Sequence, residues 1–192
     1  MNLPVRRFAR SFRHMPDRIL HPYRRGRAKR RLAEARPRRL LVLCMGNICR
    51  SPYAAGVLER ELPGCDIRSA GFLDAGREPP RHAVSVAAER GVNLTGHRSS
   101  QVTSSLLDWA DLVIVMDRAQ ANLAETTAPG SAYIERLGDF DPRRIDTRSV
   151  IDPIDREREF FRQVYRRIDG CCSLLAEALR SRSTVAGRGH LR

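Results

Sequence analysis

The chain has 192 residues, of which 42% are hydrophobic and 30% charged, a composition that predicts one globular domain and leaves little room for two. No apolar run approaches the roughly 18 residues that a membrane helix requires, and no apolar block of the signal-peptide type follows the basic start. Residues 1–39 carry +12 of the total net charge of +13, so the remaining chain is close to neutral.

The segment 1–37 is predicted to be a flexible basic arm. Arginines dominate it, and prolines at positions 4, 16, 22 and 37 interrupt it, so the only helix expected is a short one near residues 28–35. Three interpretations stay open. The arm is a solvated tail without a partner, a segment that docks on an acidic surface such as anionic lipid or nucleic acid, or a mitochondrial-type transit peptide.

Strands alternate with helices from residue 38 onward. Apolar stretches predict four strands, which are RLLVLC, CDIRSA, ADLVIVMD and SAYIERLG in chain order. Helices are predicted over residues 52–62, within PPRHAVSVAAERGVNL, from AQANLAE onward, and over residues 155–180. This alternation predicts an α/β fold with a four-stranded parallel sheet flanked by helices on both faces. The domain is expected to span residues 38–180, followed by a C-terminal tail at 181–192.

The stretch LLVLCMGNICRSP is the strongest indication of a functional site. Cys44 ends a buried strand, and in a parallel sheet ligands gather beyond the carboxyl ends of the strands. The loop 45–51 then enters a helix, whose first amides and dipole form a cradle for an anion. Gly46 permits close backbone approach, and Arg50 can donate to two oxygens of a phosphate at once.

A thiol at the floor of that cradle predicts nucleophilic chemistry. Donors that hold an anion also stabilise a thiolate, so Cys44 is expected to attack phosphorus and form a cysteinyl-phosphate that water later cleaves. Ser51 can donate its hydroxyl to the sulfur and ease its departure. A purely structural cysteine is the alternative, but the spacing from Cys44 to Arg50 and Ser51 disfavours it. A nucleotide-binding P-loop is excluded because Gly-Lys-Ser/Thr is absent.

At this point the sequence resembles the low-molecular-weight protein tyrosine phosphatase family. The motif CMGNICRSP carries the resemblance, and further matches follow in order: RSAGF, the prolines at 79 and 80, GVNLTGHRSSQVT, ADLVIVMD, DPI at 152–154, and VYRRIDGCCSLLAEAL. The resemblance covers roughly residues 38–180. It implies the phosphatase fold and hydrolysis of phosphotyrosine in proteins without a metal or cofactor.

The resemblance also implies residue roles. Cys44 is the nucleophile, Arg50 binds the phosphate and its transition-state charge, and Asp152 is the general acid and then the base for water. Asp152 as a plain turn residue before Pro153 is the alternative. The remaining residues expected to bind substrate are Met45, Gly46, Asn47, Ile48, Cys49, Ser51, Phe72 and Ile154.

Supporting roles are expected for three further residues. The family match implies that His97 braces the loop together with Asn47. Asp117 either braces the acid loop or caps a helix. Cys49 resembles the second cysteine with which the family can form a reversible disulfide to Cys44, and a buried structural thiol is its alternative.

The sequence departs from the family around the mouth of the expected cleft. Ile154 and Asp155 stand where aromatics commonly follow the Asp-Pro pair, and Phe72 comes earlier than the family's wall residue. Because stacking on an aryl ring contributes only about 0.5–1.5 kcal/mol, this departure weakens the prediction of tyrosine specificity more than that of phosphatase activity.

Other activities remain as alternatives. A protein-arginine phosphatase of the same fold usually carries threonine where this chain has Ile48, and a thioredoxin-coupled arsenate reductase needs a cysteine pair that is absent between Cys65 and Cys171. A catalytically inactive phosphate-binding module tethered by the basic arm is the alternative of a different class. By analogy with bacterial relatives, the partner expected is a tyrosine autokinase. The odd number of five cysteines indicates reduced thiols and a cytoplasmic protein.

Overall fold

The computed structural model describes residues 4–130 and 132–181. The predicted tail therefore lies outside the described residues from position 182 on. The elements in chain order are α1 (Pro4–Ala35), β1 (Arg39–Cys44), α2 (Arg50–Glu61), β2 (Asp66–Gly71), α3 (Arg81–Glu89), α4 (Ser104–Trp109), β3 (Leu112–Val115), α5 (Arg118–Thr127), β4 (Tyr133–Arg136), a 3₁₀ turn (Leu137–Phe140) and α6 (Arg158–Arg180).

The four strands form one parallel sheet in the order β2-β1-β3-β4. In the central strand β1, Leu40 and Val42 face a cluster that includes side chains of α1, α2, α3 and α6. Leu41 and Leu43 face the opposite cluster, beneath α4 and α5. Because both faces of β1 and β3 are covered, these strands read as unbroken apolar runs. The predicted four-stranded parallel α/β fold is confirmed.

The N-terminal segment is helical over a longer range than the sequence indicated. Its helix α1 continues through Pro16 and Pro22, although a proline inside a helix costs about 3 kcal/mol. Contacts with the domain offset this cost, because His21, Ala28 and Leu32 lie on one side of α1 and are buried. The flexibility expected of the arm and its boundary at residue 37 stay predictions.

Two short elements were not expected from the sequence. Helix α4 has six residues and is capped by Thr103, whose hydroxyl accepts from the amide of Leu106 at 3.2 Å. The 3₁₀ turn buries all four of its residues beneath α1 and α6. Within the described part of the chain, no helix combines the length and the apolar character that crossing a bilayer demands.

Candidate active site

The loop between β1 and α2 lies at the carboxyl edge of the sheet, as the sequence predicted. Cys44 is the last residue of β1 and pairs in register with Gly71 at the end of β2. A side chain at position 71 would come within 2.8 Å of both the carbonyl of Met45 and the amide of Asn47. The amide of Phe72 donates to that same Met45 carbonyl at 2.9 Å. The end of β2 therefore packs directly against the backbone of the loop, and only glycine at position 71 allows the two backbones to come so close.

Two donors converge on the sulfur of Cys44. The backbone amide of Asn47 lies 3.2 Å from Sγ, and the hydroxyl of Ser51 lies 3.0 Å from it. Cys44 is only 2% exposed and sits at the floor of the loop. Hydrogen bonds of this kind stabilise a sulfur anion more than a neutral thiol, because a thiolate is the stronger acceptor.

Asn47 organises the loop. It is fully buried and has a φ of 49°, a left-handed conformation in which asparagine is enriched. Its side-chain Nδ2 donates to the hydroxyls of Ser51 and Ser69, each at 2.9 Å, and its side-chain oxygen accepts from the backbone amide of Ser100 at 2.8 Å. The imidazole Nε2 of His97 lies 2.8 Å from the Asn47 carbonyl. These contacts hold the loop in a conformation that few residues would adopt unaided.

Cys49 differs from Cys44 in its surroundings. The carbonyl of Cys49 accepts a hydrogen bond from the hydroxyl of Tyr165 on α6 at 3.1 Å. Burial raises the pKa of the Cys49 thiol, and the charges of Asp152 and Cys44 act in the same direction. Burial thus disfavours the anionic form of Cys49, whereas the sulfur of Cys44 has two hydrogen-bond donors.

Arg50 and Asp152 meet above the loop. The guanidinium is 4% exposed, and its Nη1 donates to the carbonyl of Val150 at 3.0 Å. Its Nη2 forms an ion pair with the Oδ2 oxygen of Asp152. The second carboxylate oxygen of Asp152 accepts from the amide of Ile154 at 3.3 Å. The Nε of Arg50 has no hydrogen-bond partner among the described residues, so one donor of the fork remains for a ligand.

The other predicted substrate contacts occupy different depths. Met45 and Gly46 are half-buried, whereas Ile48 is buried in the main cluster. Ile154 is exposed beside the acid. Phe72 packs against the cluster beneath α4 and α5, so its role as a substrate wall stays a prediction.

Asp117 caps α5, which is one of the two roles expected of it. Its carboxylate accepts from the backbone amide of Gln120 at 2.9 Å and from the side-chain amide of Gln120 at 2.8 Å. Gln120 in turn accepts from the amide of Met116 at 3.0 Å, and the carbonyl of Met116 accepts from Val150 at 2.9 Å. Within the described part of the chain, Asp117 thus reaches the loop that carries Asp152 through Gln120 and Met116 and not directly.

Arg77 was not identified from the sequence. It is exposed, and its Nη1 would lie 3.1 Å from a Cβ at Gly46, so a second guanidinium borders the loop. Ser99 fixes the backbone here, since its hydroxyl accepts from the Arg77 amide at 2.9 Å. No sequence pattern signals this approach, because the loop 72–80 has neither helical nor strand periodicity.

Comparisons with known proteins identify relatives. The sequence profile of the low molecular weight phosphotyrosine protein phosphatases matches residues 39–185. A probable low molecular weight protein-tyrosine-phosphatase, EpsP of Ralstonia nicotianae, is 36% identical over 131 residues, which are 67% of this chain and 87% of that protein. A protein-arginine-phosphatase of Geobacillus stearothermophilus is 32% identical over 155 residues, which are 76% of this chain and 98% of that protein.

A solved structure with the same fold is the tyrosine phosphatase Wzb from Escherichia coli K30 in complex with sulphate. The likeness has a TM-score of 0.68 at 32% identity and covers 74% of this chain and 99% of that chain. Helix α1 precedes the residues that the family profile matches.

Proposed function

The chain belongs to the low molecular weight protein tyrosine phosphatase family, and we propose that it hydrolyses phosphotyrosine in proteins through a cysteinyl-phosphate formed on Cys44. The observation that carries this proposal is the convergence of Ser51 and Asn47 on the Cys44 sulfur, beneath the Arg50–Asp152 pair. A thiol, a guanidinium and a carboxyl thereby lie together at the carboxyl end of the sheet, which supports the roles proposed for them.

In the first step the Cys44 thiolate attacks phosphorus as the bond to the phenolic oxygen breaks. The electron pair of that bond goes to the oxygen, which takes a proton from Asp152. Loop amides and Arg50 hold the equatorial oxygens of the phosphoryl group, where charge is spread in the transition state. Arg50 must exchange its carboxylate partner for phosphate, and its Nε is already free of protein partners among the described residues.

In the second step water attacks the phosphorus of the cysteinyl-phosphate. Asp152, now a carboxylate, accepts the proton of the water as the sulfur leaves. The hydroxyl of Ser51, 3.0 Å from the sulfur, stabilises the departing thiolate. Asn47 and His97 keep the loop open for both steps through their contact at 2.8 Å.

Replacement of the nucleophile tests this proposal. Cys44→Ser should lower turnover of p-nitrophenyl phosphate to below about one thousandth of the wild-type rate, in the presence of EDTA throughout. Asp152→Ala should lower kcat/KM about 100- to 10,000-fold, the range for a lost general acid. Cys65→Ser is the matched control, because this thiol lies away from the loop, near the Pro37 carbonyl. Turnover that survives Cys44→Ser would contradict the proposal, and the absence of any Cys44-dependent turnover in the wild-type protein would leave the phosphate-binding module.

The same assay on peptides separates the two family activities. Faster turnover of phosphotyrosine than of phosphoarginine peptides is expected, because Ile48 stands where arginine phosphatases usually carry threonine. The reverse preference would favour the activity named for the Geobacillus relative.

We propose a phosphotyrosine protein as the partner, with a tyrosine autokinase as the specific candidate, and a cytoplasmic site of action. The five cysteines are all free thiols, which suits a reducing compartment. We further propose that the outer face of α1 binds an anionic lipid surface. Ile19 and Tyr23 are 69% and 66% exposed there, beside the exposed Arg27 and Arg30.

A further inference from the structure

We propose that α1 is a positioning element for the loop that carries Asp152, so that a helix outside the family match contributes to the acid step of catalysis. This inference rests on the acid role proposed above for Asp152. Its evidence is a continuous series of contacts that runs from α1 through residues 138–150 to the carboxyl group.

The first contact is made by Arg25, on the inner side of α1. Its Nη1 donates to the carbonyls of Asp141 and Pro142, each at 3.2 Å. These carbonyls begin the segment that leads to the acid, and the guanidinium is half-buried against them. Arg25 therefore fixes the near end of the acid loop to the N-terminal helix.

Two more side chains of α1 reach the same segment. His21 is 2% exposed, and its imidazole faces the backbone of Gly138 and Asp139 in the 3₁₀ turn. Asp17, held by Arg24 at 2.7 Å, approaches the backbone amide of Arg148 at 3.4 Å. Helix α1 thus contacts the acid loop at both of its ends.

Inside the loop, both the side chain and the backbone of Arg148 make close contacts with the 3₁₀ turn. Its guanidinium donates to the buried carboxylate of Asp139, with Nε at 2.5 Å from Oδ1. A Cβ at Gly138 would collide with the Arg148 carbonyl, so the 3₁₀ turn and the loop touch through their backbones. A displacement of the turn that α1 covers would therefore be transmitted to Arg148.

Helix α6 holds the opposite side of the loop through Arg167. This guanidinium donates to the carbonyls of Thr147 and Ser149 at 2.7 and 2.8 Å, and its Nε donates to the carboxylate of Asp141 at 2.9 Å. Asp141 is therefore shared, since α6 binds its carboxylate and α1 binds its carbonyl. Loss of the α1 contact leaves Asp141 held by Arg167 of α6 and by Arg143 within the loop itself.

The last contacts connect the loop to the acid. The amide of Val150 donates to the carbonyl of Met116, just after β3, at 2.9 Å, and the carbonyl of Val150 accepts from Arg50 at 3.0 Å. Asp152 follows two residues later. Because a misplacement of about 1 Å can reduce a rate about 100-fold, the position of this segment matters for proton transfer.

The test compares Arg25→Ala with Lys29→Ala. Lys29 lies one turn further along α1 and is similarly half-buried, and among the described residues its ammonium group pairs only with Glu177 on α6, at 3.2 Å. The readout is kcat/KM for two aryl phosphates, since kcat/KM includes phosphorus–oxygen cleavage but not the later hydrolysis of the cysteinyl-phosphate. Phenyl phosphate needs its leaving oxygen protonated, whereas 2,4-dinitrophenyl phosphate does not.

Arg25→Ala should lower kcat/KM on phenyl phosphate about tenfold and on 2,4-dinitrophenyl phosphate less than twofold. Lys29→Ala should leave both values within twofold of wild type. The double variant Arg25→Ala/Asp152→Ala should be no slower than Asp152→Ala alone, because the positioned group is then absent. Arg25→Lys should restore part of the loss.

A merely structural role for Arg25 gives a different pattern. Equal losses on the two substrates, or losses additive with Asp152→Ala, would overturn the inference, as would a wild-type value for Arg25→Ala on phenyl phosphate. If instead Asp152→Ala itself showed no selective loss on phenyl phosphate, the acid assignment would fail first. Thermal unfolding of each variant confirms that folded proteins are being compared.

Discussion

Two anions, namely the carboxylate of Asp152 and the phosphate of a substrate, compete for the guanidinium of Arg50. Its Nη2 is paired with Asp152, and its Nη1 is used by the Val150 carbonyl. Phosphate binding must therefore displace the Asp152 carboxylate, which is about one-third exposed. The free-energy cost of breaking this ion pair is low, because partly solvated ion pairs contribute little. The proposed acid thus opposes binding of the phosphoryl group that it is proposed to help transfer.

Removal of the Asp152 charge should tighten the binding of inorganic phosphate. Both Asp152→Ala and Asp152→Asn are expected to lower the dissociation constant about three- to tenfold, since competition and repulsion are lost together. Calorimetric titration measures this without relying on turnover. Asp155→Asn is the control, because that carboxylate is exposed and makes no described contact with Arg50. Unchanged or weaker binding in both Asp152 variants would contradict the competition.

For single residues, the sequence predicted those that belong to a short motif, and it missed those that tertiary contacts bring to the loop. Cys44, Arg50 and Asp152 were named from their motifs, and the structure brings them together, although their catalytic roles remain proposals. Ser69 and Ser100 bind Asn47 from 22 and 53 residues away. Both serines lie in segments that match the family, but a serine in a short segment carries no signal of a contact so distant in sequence, so only the packed fold could reveal these bonds.

Among the elements, those with long apolar runs were predictable and those that depend on tertiary contacts were not. Strand β1 follows directly from RLLVLC, and α6 from its one-sided apolar spacing. Helix α4 is too short to show a period, and the 3₁₀ turn is built around Asp139, a buried carboxylate that reads as a surface residue. Helix α1 carries two interior prolines that predict interruption, and its packing overrides them.

The stability that the packing of α1 against the 3₁₀ turn contributes should depend on pH through His21. Burial, followed by the charge of Arg25, lowers the pKa of His21, while the charge of Asp141 acts in the opposite direction. The folded protein then binds fewer protons here than the unfolded chain does. Its contribution is therefore fully present above about pH 6.5 and is lost as pH falls below that value.

Denaturant unfolding at pH 7.5 and pH 5.5 measures this loss. His21→Gln should show a smaller fall in the free energy of unfolding between the two values than wild type does, because glutamine does not titrate. His82→Gln should behave as wild type, since His82 is exposed on α3. Equal falls in wild type and His21→Gln would contradict this account.

For the whole molecule, the charge asymmetry of the sequence has two structural consequences. Part of the basic character of α1 is matched by the domain, as in the pairs of Arg31 with the buried Glu135 and of Lys29 with Glu177. Net charge alone could not distinguish such internal pairs from a free basic tail. Arg18 is exposed but pairs with Asp146 of the domain at 3.5 Å, whereas the exposed Arg27 and Arg30 lie with Ile19 and Tyr23 on the outer side of α1.

That outer side should bind vesicles containing phosphatidylserine more tightly than neutral vesicles, because arginines meet anionic headgroups while apolar side chains enter the interface. Ile19→Ser should weaken sedimentation with anionic vesicles about threefold or more. Leu123→Ser is the matched control, since Leu123 is a 41% exposed apolar residue on α5. Binding that is indifferent to Ile19, or retained on duplex DNA but not on vesicles, would contradict the lipid assignment.

The order of the site residues along the chain has a consequence for biosynthesis. Asp152 comes 108 positions after Cys44, and Arg167, which holds the acid loop, comes later still. At about 5 to 20 residues per second, a ribosome delivers the sulfur roughly 5 to 20 s before the carboxyl. The growing polypeptide thus carries its proposed nucleophile long before its proposed proton donor, and the site is complete only once α6 has emerged.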